Sequence, residues 1–189
     1  MGSETSSEEL RKLLPPLAAE DHWCAECNID YTKIEIDDAL TIIKAVPELA
    51  RANVELVSGR ILQLRPDDSW SMLEYLCHIR DVYATFTIRL YRAQHEDRPA
   101  VEPMLNDLRA HRFAYNDLEA NSVLEELEHN VDGFAYQVDR VKDWNRTVSR
   151  LPEEIRTSRW LVRQAMHEGV HHLADMTWVR EQVEVVTKG

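Results

Sequence analysis

What this chain has little of narrows it first. Its 189 residues include only five glycines, few for the tight turns of a many-stranded protein, while long stretches keep a 3.6-residue apolar period. Helices are therefore expected throughout. Cysteine numbers three, an odd count in a chain this long, which argues against a disulfide framework. No apolar run approaches the length that spans a bilayer, and "MGSETSSEEL" has neither the basic nor the apolar part of a secretory signal. A cytoplasmic protein is expected. Positive charge is scarce as well: 22 lysines and arginines stand against 34 acids, a net charge of -12. Such a surface repels phosphate backbones and anionic lipid alike, so nucleic acid and membrane are excluded as expected partners.

What is present suffices for one domain with a substantial core, since 44% of the residues are hydrophobic. Residues 1–35 read as an amino-terminal extension and residues 36–189 as the folded unit. Within the extension, "SSEELRKLLPPL" suggests a short helix stopped by Pro15 and Pro16, and "EDHWCAECNIDYTKI" has no clear period. The first long helix is expected over "IDDALTIIKAVPELARANVELVSG", capped by Asp37 or Asp38, ended by Gly59, and kinked or split at Pro47. The second begins at "DDSWSMLEYLCHIRDVYATFTIRLYRAQ", where Ser71 and Glu74 have capping-box spacing. Its seam is Met72, Leu76, Ile79, Tyr83, Phe86 and Leu90. A long connection, residues 97–120, holds a short helix around "MLNDLRAHRFAY". The third helix, "NSVLEELEHNVDGFAYQVDRVKDW", offers Ser122 and Glu125 as a second capping box; the fourth, "SRWLVRQAMHEGVHHLADMTWVREQV", offers Thr157 or Ser158 as its cap. Four long helices with one long connection between the second and third describe an all-α four-helix bundle.

Chemistry concentrates in "MHEGVHHLADM". His167 and His171 lie four apart, on one helical face, the spacing by which a helix presents two imidazoles to one metal ion. Asp175 continues that stripe, and His172 falls toward the apolar arc. On the second helix His78 shares a stripe with Glu74, Asp81, Thr85 and Arg89 that is distinct from the seam. A solvated face with ordinary ion pairs accounts for that stripe equally well. Three neutral imidazoles, if joined, would leave coordination positions open, the condition for a catalytic rather than a structural ion.

Taken together, "WSMLEYLCHIRDVYATF" and "AMHEGVHHLADM" resemble the DinB/YfiT-like superfamily of metal-binding four-helix bundles, over roughly residues 36 to 182. The resemblance implies a DinB-like bundle in which His78, His167 and His171 hold a divalent metal ion, zinc first and nickel or iron as alternatives. It also implies a small-molecule substrate and a low-molecular-weight thiol as co-substrate, because members include mycothiol- and bacillithiol-dependent thiol transferases. A divalent cation deprotonates a coordinated thiol, and the thiolate is the nucleophile of S-transfer. Lowering the pKa of a bound water instead would support hydrolysis. A bundle without catalysis, serving as a binding or homodimerisation module through its tryptophan-bearing helices, is the reading from a different class.

The remaining candidates are weaker. Asp81, Glu168, His172 and Asp175 adjoin the ligand positions and are candidates to orient the imidazoles or touch substrate. Cys24 and Cys27, in "CAEC", have knuckle spacing and form a candidate minor site with His22 as a further ligand, although a structural zinc needs four. Cys77 reads as a small core residue, and His95, His111 and His129 as exposed. Glu74 is expected to be a solvated charge. Arg80, Arg89 and Arg163 are candidates to hold an anionic substrate.

Overall fold

A computed structural model describes residues 14–57, 59–67 and 69–188, with side chains through residue 183. The expected helix in "SSEELRKLLPPL" lies, but for its last residues, outside the described part. Where no period was visible, the extension forms a two-stranded antiparallel hairpin, β1 (Trp23–Cys24) paired with β2 (Ile29–Asp30). Its turn follows Cys24, carries Cys27 and closes on Asn28 at φ 53°, a left-handed conformation that asparagine tolerates better than most residues.

The four long helices are α1 (Ile36–Glu55), α2 (Met72–His95), α4 (Ala120–Val138) and α5 (Ser158–Lys188), with the short α3 (Asn106–Arg112) in the long connection. The Ser71–Glu74 capping box is present in full: Ser71 Oγ accepts from the Glu74 amide and Glu74 reaches back to the Ser71 amide. Thr157 Oγ1 accepts from the Trp160 amide at the start of α5. Several expectations need correction, among them the end of α1, which falls at Glu55 and not at Gly59. The cap of α4 is Glu119, whose carboxylate accepts from the Ser122 amide, so Ser122 lies inside the first turn. Pro47 neither splits nor ends α1, because packing on both sides overrides propensity; Ile43, Val46, Pro47 and Ala50 are all buried. Asp37 and Asp38 sit in the first turn beyond the Glu35 cap, where negative charge suits the helix dipole.

Helix pairs α1–α5, α5–α2, α2–α4 and α4–α1 form the four sides of the bundle. Helices consecutive in sequence, α1 with α2 and α4 with α5, therefore face each other across the diagonals. A second short hairpin, β3 (Thr147–Ser149) with β4 (Ile155–Thr157), leads into α5. The six seam residues expected on α2 are buried, and so are Glu74, His78, Asp81 and Arg89. The polar stripe of α2 is thus interior, not a solvated face. The extension is fastened to the bundle as well: Trp160 Nε1 donates to the Ala19 carbonyl, Arg163 Nε to the Ile34 carbonyl, and Arg156 to the Ala18 and Leu17 carbonyls. Tyr31 is fully buried in the common core. No helix among the described residues is long and apolar enough to cross a membrane.

Candidate functional site

Helix α5 carries two pairs of side chains whose groups could hold a metal ion, His167 with His171 and Glu168 with His172. Each pair has i,i+4 spacing, so each lies along one face; the pairs are offset by one residue, or about 100° around the axis. That rotation sends them to different neighbours. Glu168 and His172 turn toward His78 on α2, while His167 and His171 turn toward the amino-terminal hairpin. The single triad expected from His78, His167 and His171 is accordingly divided between two groups.

In the first group, His172 Nε2 stands 3.1 Å and His78 Nε2 3.4 Å from Glu168 Oε2. Ligand atoms about 2.1 Å from a common ion are separated by roughly 3.0–3.5 Å, so this donor set fits a divalent cation. Asp175 Oδ2 holds His172 Nδ1 at 2.8 Å, which directs the other nitrogen to Glu168. Burial lowers the pKa of His78, with Glu168 pulling the other way. For His172 burial also acts downward, but Asp175 and Glu168 outweigh it and raise the pKa to about 9. Burial would raise Glu168, yet hydrogen bonds from His172 and His78 hold its carboxyl well below the usual range. The rings of Trp70 and His78 meet edge to face, and the Tyr75 ring lies 5.5 Å from that of His172. Beyond Trp70 opens a cleft of about 330 Å³ lined by Arg65, Trp70, Glu74, Asp107 and His111.

In the second group, Cys24, Cys27, His167 and His171 bring one ligand atom each to within 4.8 Å of all the others. Cys27 Sγ lies 3.1 Å from His171 Nδ1. Burial, then the Cys24 thiol and the charges of Glu26 and Asp175, push the Cys27 thiol up to about 12. Burial similarly lowers His167 to about 4. The ring of His22 stands 5.5 Å from that of His167, but His22 is not one of the four.

The groups communicate through two side chains. Gln164 donates its amide to Glu168 Oε1, and Tyr31 donates to Gln164 Oε1 at 2.7 Å. An ionised carboxylate only accepts, so the Gln164 NH₂ must face Glu168 and its carbonyl must face Tyr31. Tyr31 has one proton and gives it to Gln164, so its oxygen accepts from His167 Nδ1, 2.9 Å away. The Nε2 atom of His167 is then unprotonated, and it is buried without a partner.

Other expected site residues have structural places. Asp81 accepts from Arg80, Arg109 and Tyr115, tying α3 to α2 without touching either group. Glu74, expected in solvent, is buried in the capping box and paired with Arg65. Arg80, Arg89 and Arg163 spend their charge on Asp81 and on the Glu102 and Ile34 carbonyls. Cys77 is in the core, and His95, His111 and His129 are exposed. Tyr31 and Gln164 were not visible as functional positions, because nothing in the local period of the extension says where it docks.

Comparison with known proteins agrees with this architecture. The family model described as "DinB superfamily" matches residues 29–176. Among solved structures, YfiT from Bacillus subtilis, described as "a probable metal-dependent hydrolase with an unusual four-helix bundle topology", superposes with a TM-score of 0.68 at 17% identity, covering 77% of this chain and 87% of that one. A search of curated proteins found no match.

Proposed function

This chain belongs to the DinB superfamily, and on that footing we propose that it is a metal-dependent enzyme acting on a small molecule, with His78, Glu168 and His172 as the ligands of its reactive ion. The observation that carries this reading is the convergence of His78 Nε2, Glu168 Oε2 and His172 Nε2 at ligand spacing. Three protein ligands leave positions for a substrate or nucleophile, and two imidazoles with one carboxylate is a set that hydrolytic zinc enzymes use. An ion bound there would supply Lewis acidity and lower the pKa of whatever nucleophile it coordinates.

The protein's own part is to hold that site still and shield it. Asp175 fixes the ring of His172, Gln164 fixes the carboxylate of Glu168, and Trp70 limits water at His78. The cleft wall is polar, with Arg65 paired to Glu74, Asp107 accepting from Trp70 Nε1, and His111 facing a polar substrate. Hydrolysis is the reading we favour, supported by the ligand set and by the description given to YfiT. Thiol S-transfer, which the family resemblance suggests, would use the same open positions.

The test loads the untagged protein with cobalt and compares it with the His78→Ala variant. The expected result is loss of one bound equivalent and at least about a tenfold fall in hydrolysis of activated ester and amide probes. A thiol-dependent change in the cobalt spectrum, with faster capture of an electrophile, would move the assignment to S-transfer. Full metal content and unchanged rates in His78→Ala would sink both.

A further inference from the structure

We propose that Cys24, Cys27, His167 and His171 constitute a second metal site, a closed tetrahedral zinc site that fastens the amino-terminal hairpin to α5. The four ligand atoms lie within 4.8 Å of one another, and they come from segments some 140 residues apart. Cys24 ends β1 and Cys27 sits in the hairpin turn closed by Asn28 at φ 53°, which brings the two sulfurs of the Cys-x-x-Cys step to the same pair of histidines. Two thiolates and two imidazoles complete four-coordination, the donor set of structural zinc, with no position left for substrate. This reading is independent of the ion at His78.

A second observation points to a ligand. The hydrogen-bond relay from Glu168 through Gln164 and Tyr31 leaves His167 Nε2 as a bare lone pair, and that atom is buried with no hydrogen-bond partner. An orphaned buried acceptor is costly, whereas a coordinated one is satisfied. His171 is oriented in a matching way. Its Nδ1 meets Cys27 Sγ at 3.1 Å, while its Nε2 faces Glu26 at 3.6 Å and Asp175 at 3.9 Å. Both carboxylates stand beyond hydrogen-bond distance, so it is Nδ1, facing the thiol, that His171 offers to an ion. The alternative use of a cysteine pair, a disulfide, would leave both histidines without a role.

Cobalt distinguishes these possibilities. The full-length protein loaded with cobalt should show sulfur-to-metal charge transfer in the near ultraviolet and the strong visible bands of a tetrahedral ion. Cys27→Ser should reduce the charge-transfer intensity by about half, since one of two sulfurs is lost, and weaken binding at least about tenfold. His78→Ala should leave the sulfur signal intact, so failure at the other ion and failure here are separable. A parallel measurement on the unaltered protein guards against a variant that does not fold: with zinc bound, Cys24 and Cys27 should react with an aromatic disulfide reagent at least about tenfold more slowly than after chelation. Absence of sulfur charge transfer, equal thiol reactivity with and without zinc, or a Cys24–Cys27 disulfide in protein isolated under nitrogen would each overturn the site.

Discussion

A Cβ added at Gly169 would collide with the hydroxyl of Tyr83 and stand 3.0 Å from Val46 Cγ2. That contact is where α5 meets both α1 and α2, and it lies between the members of both ligand pairs. Gly169→Ala should cost about 1–3 kcal/mol, the range for overpacking a closed core, seen as a lower urea midpoint. The Tyr83 hydroxyl is itself buried without a partner. Tyr83→Phe should therefore be neutral or stabilising by about 1 kcal/mol, and combined with Gly169→Ala it should recover part of the loss. Additive effects in the double variant would show that the two residues do not collide.

Tyr31→Phe tests the relay. It removes the acceptor of His167 Nδ1 and the donor to Gln164 Oε1, leaving buried polar atoms unsatisfied. Stability should fall by about 1–3 kcal/mol, and zinc affinity at the cysteine-containing group by roughly 10–100-fold. Chelator competition measures the second effect, and unchanged affinity would exclude Tyr31 as the group that sets the tautomer.

Asp175→Asn should weaken metal binding at His78, Glu168 and His172 by roughly 10–100-fold, because the amide is a poorer partner for His172 Nδ1. The cobalt d–d bands of the open site should shift while the fold, followed by circular dichroism, stays unchanged.

Asp81 gives a pH dependence away from either ion. Burial acts to raise its pKa, but hydrogen bonds from Tyr115, Arg109 and Arg80 outweigh it, so the folded value lies below the ordinary 3.8. A depressed carboxylate contributes stability that is present above the unfolded pKa and lost as pH falls through the folded one. Asp81→Asn should therefore cost about 2–4 kcal/mol at pH 7, and the difference from the parent protein should shrink steadily below pH 4. A gap that does not narrow as pH falls below 4 would mean packing, not charge, is responsible.

Much of the fold was legible because helices announce themselves locally. The Ser71–Glu74 box and the seam from Met72 to Leu90 are where periodicity and capping chemistry put them. The site was legible in residue type and only partly in partnership. A helical stripe says which side chains share a face, but not what faces them, and His167 and His171 face a hairpin whose docking no period encodes. Glu168 and His172 carry the same four-residue spacing, yet His172 reads as the edge of an apolar arc until α2 is placed beside it with His78. Residues 1–35 look separable in sequence, but Tyr31 is fully buried in the core.

The offset of one residue between the two ligand pairs on α5 makes "HEGVHH" behave like overlapping reading frames. His167 and His171 are written in one frame and Glu168 and His172 in the next. One residue inserted anywhere between positions 168 and 171 would change both spacings from four to five, turning each pair's members about 140° apart around the axis. Neither centre could then be lost or gained by such a change while the other was kept. Point substitution is the route open to separate evolution of the two, and any drift in the length of this segment is forbidden twice over.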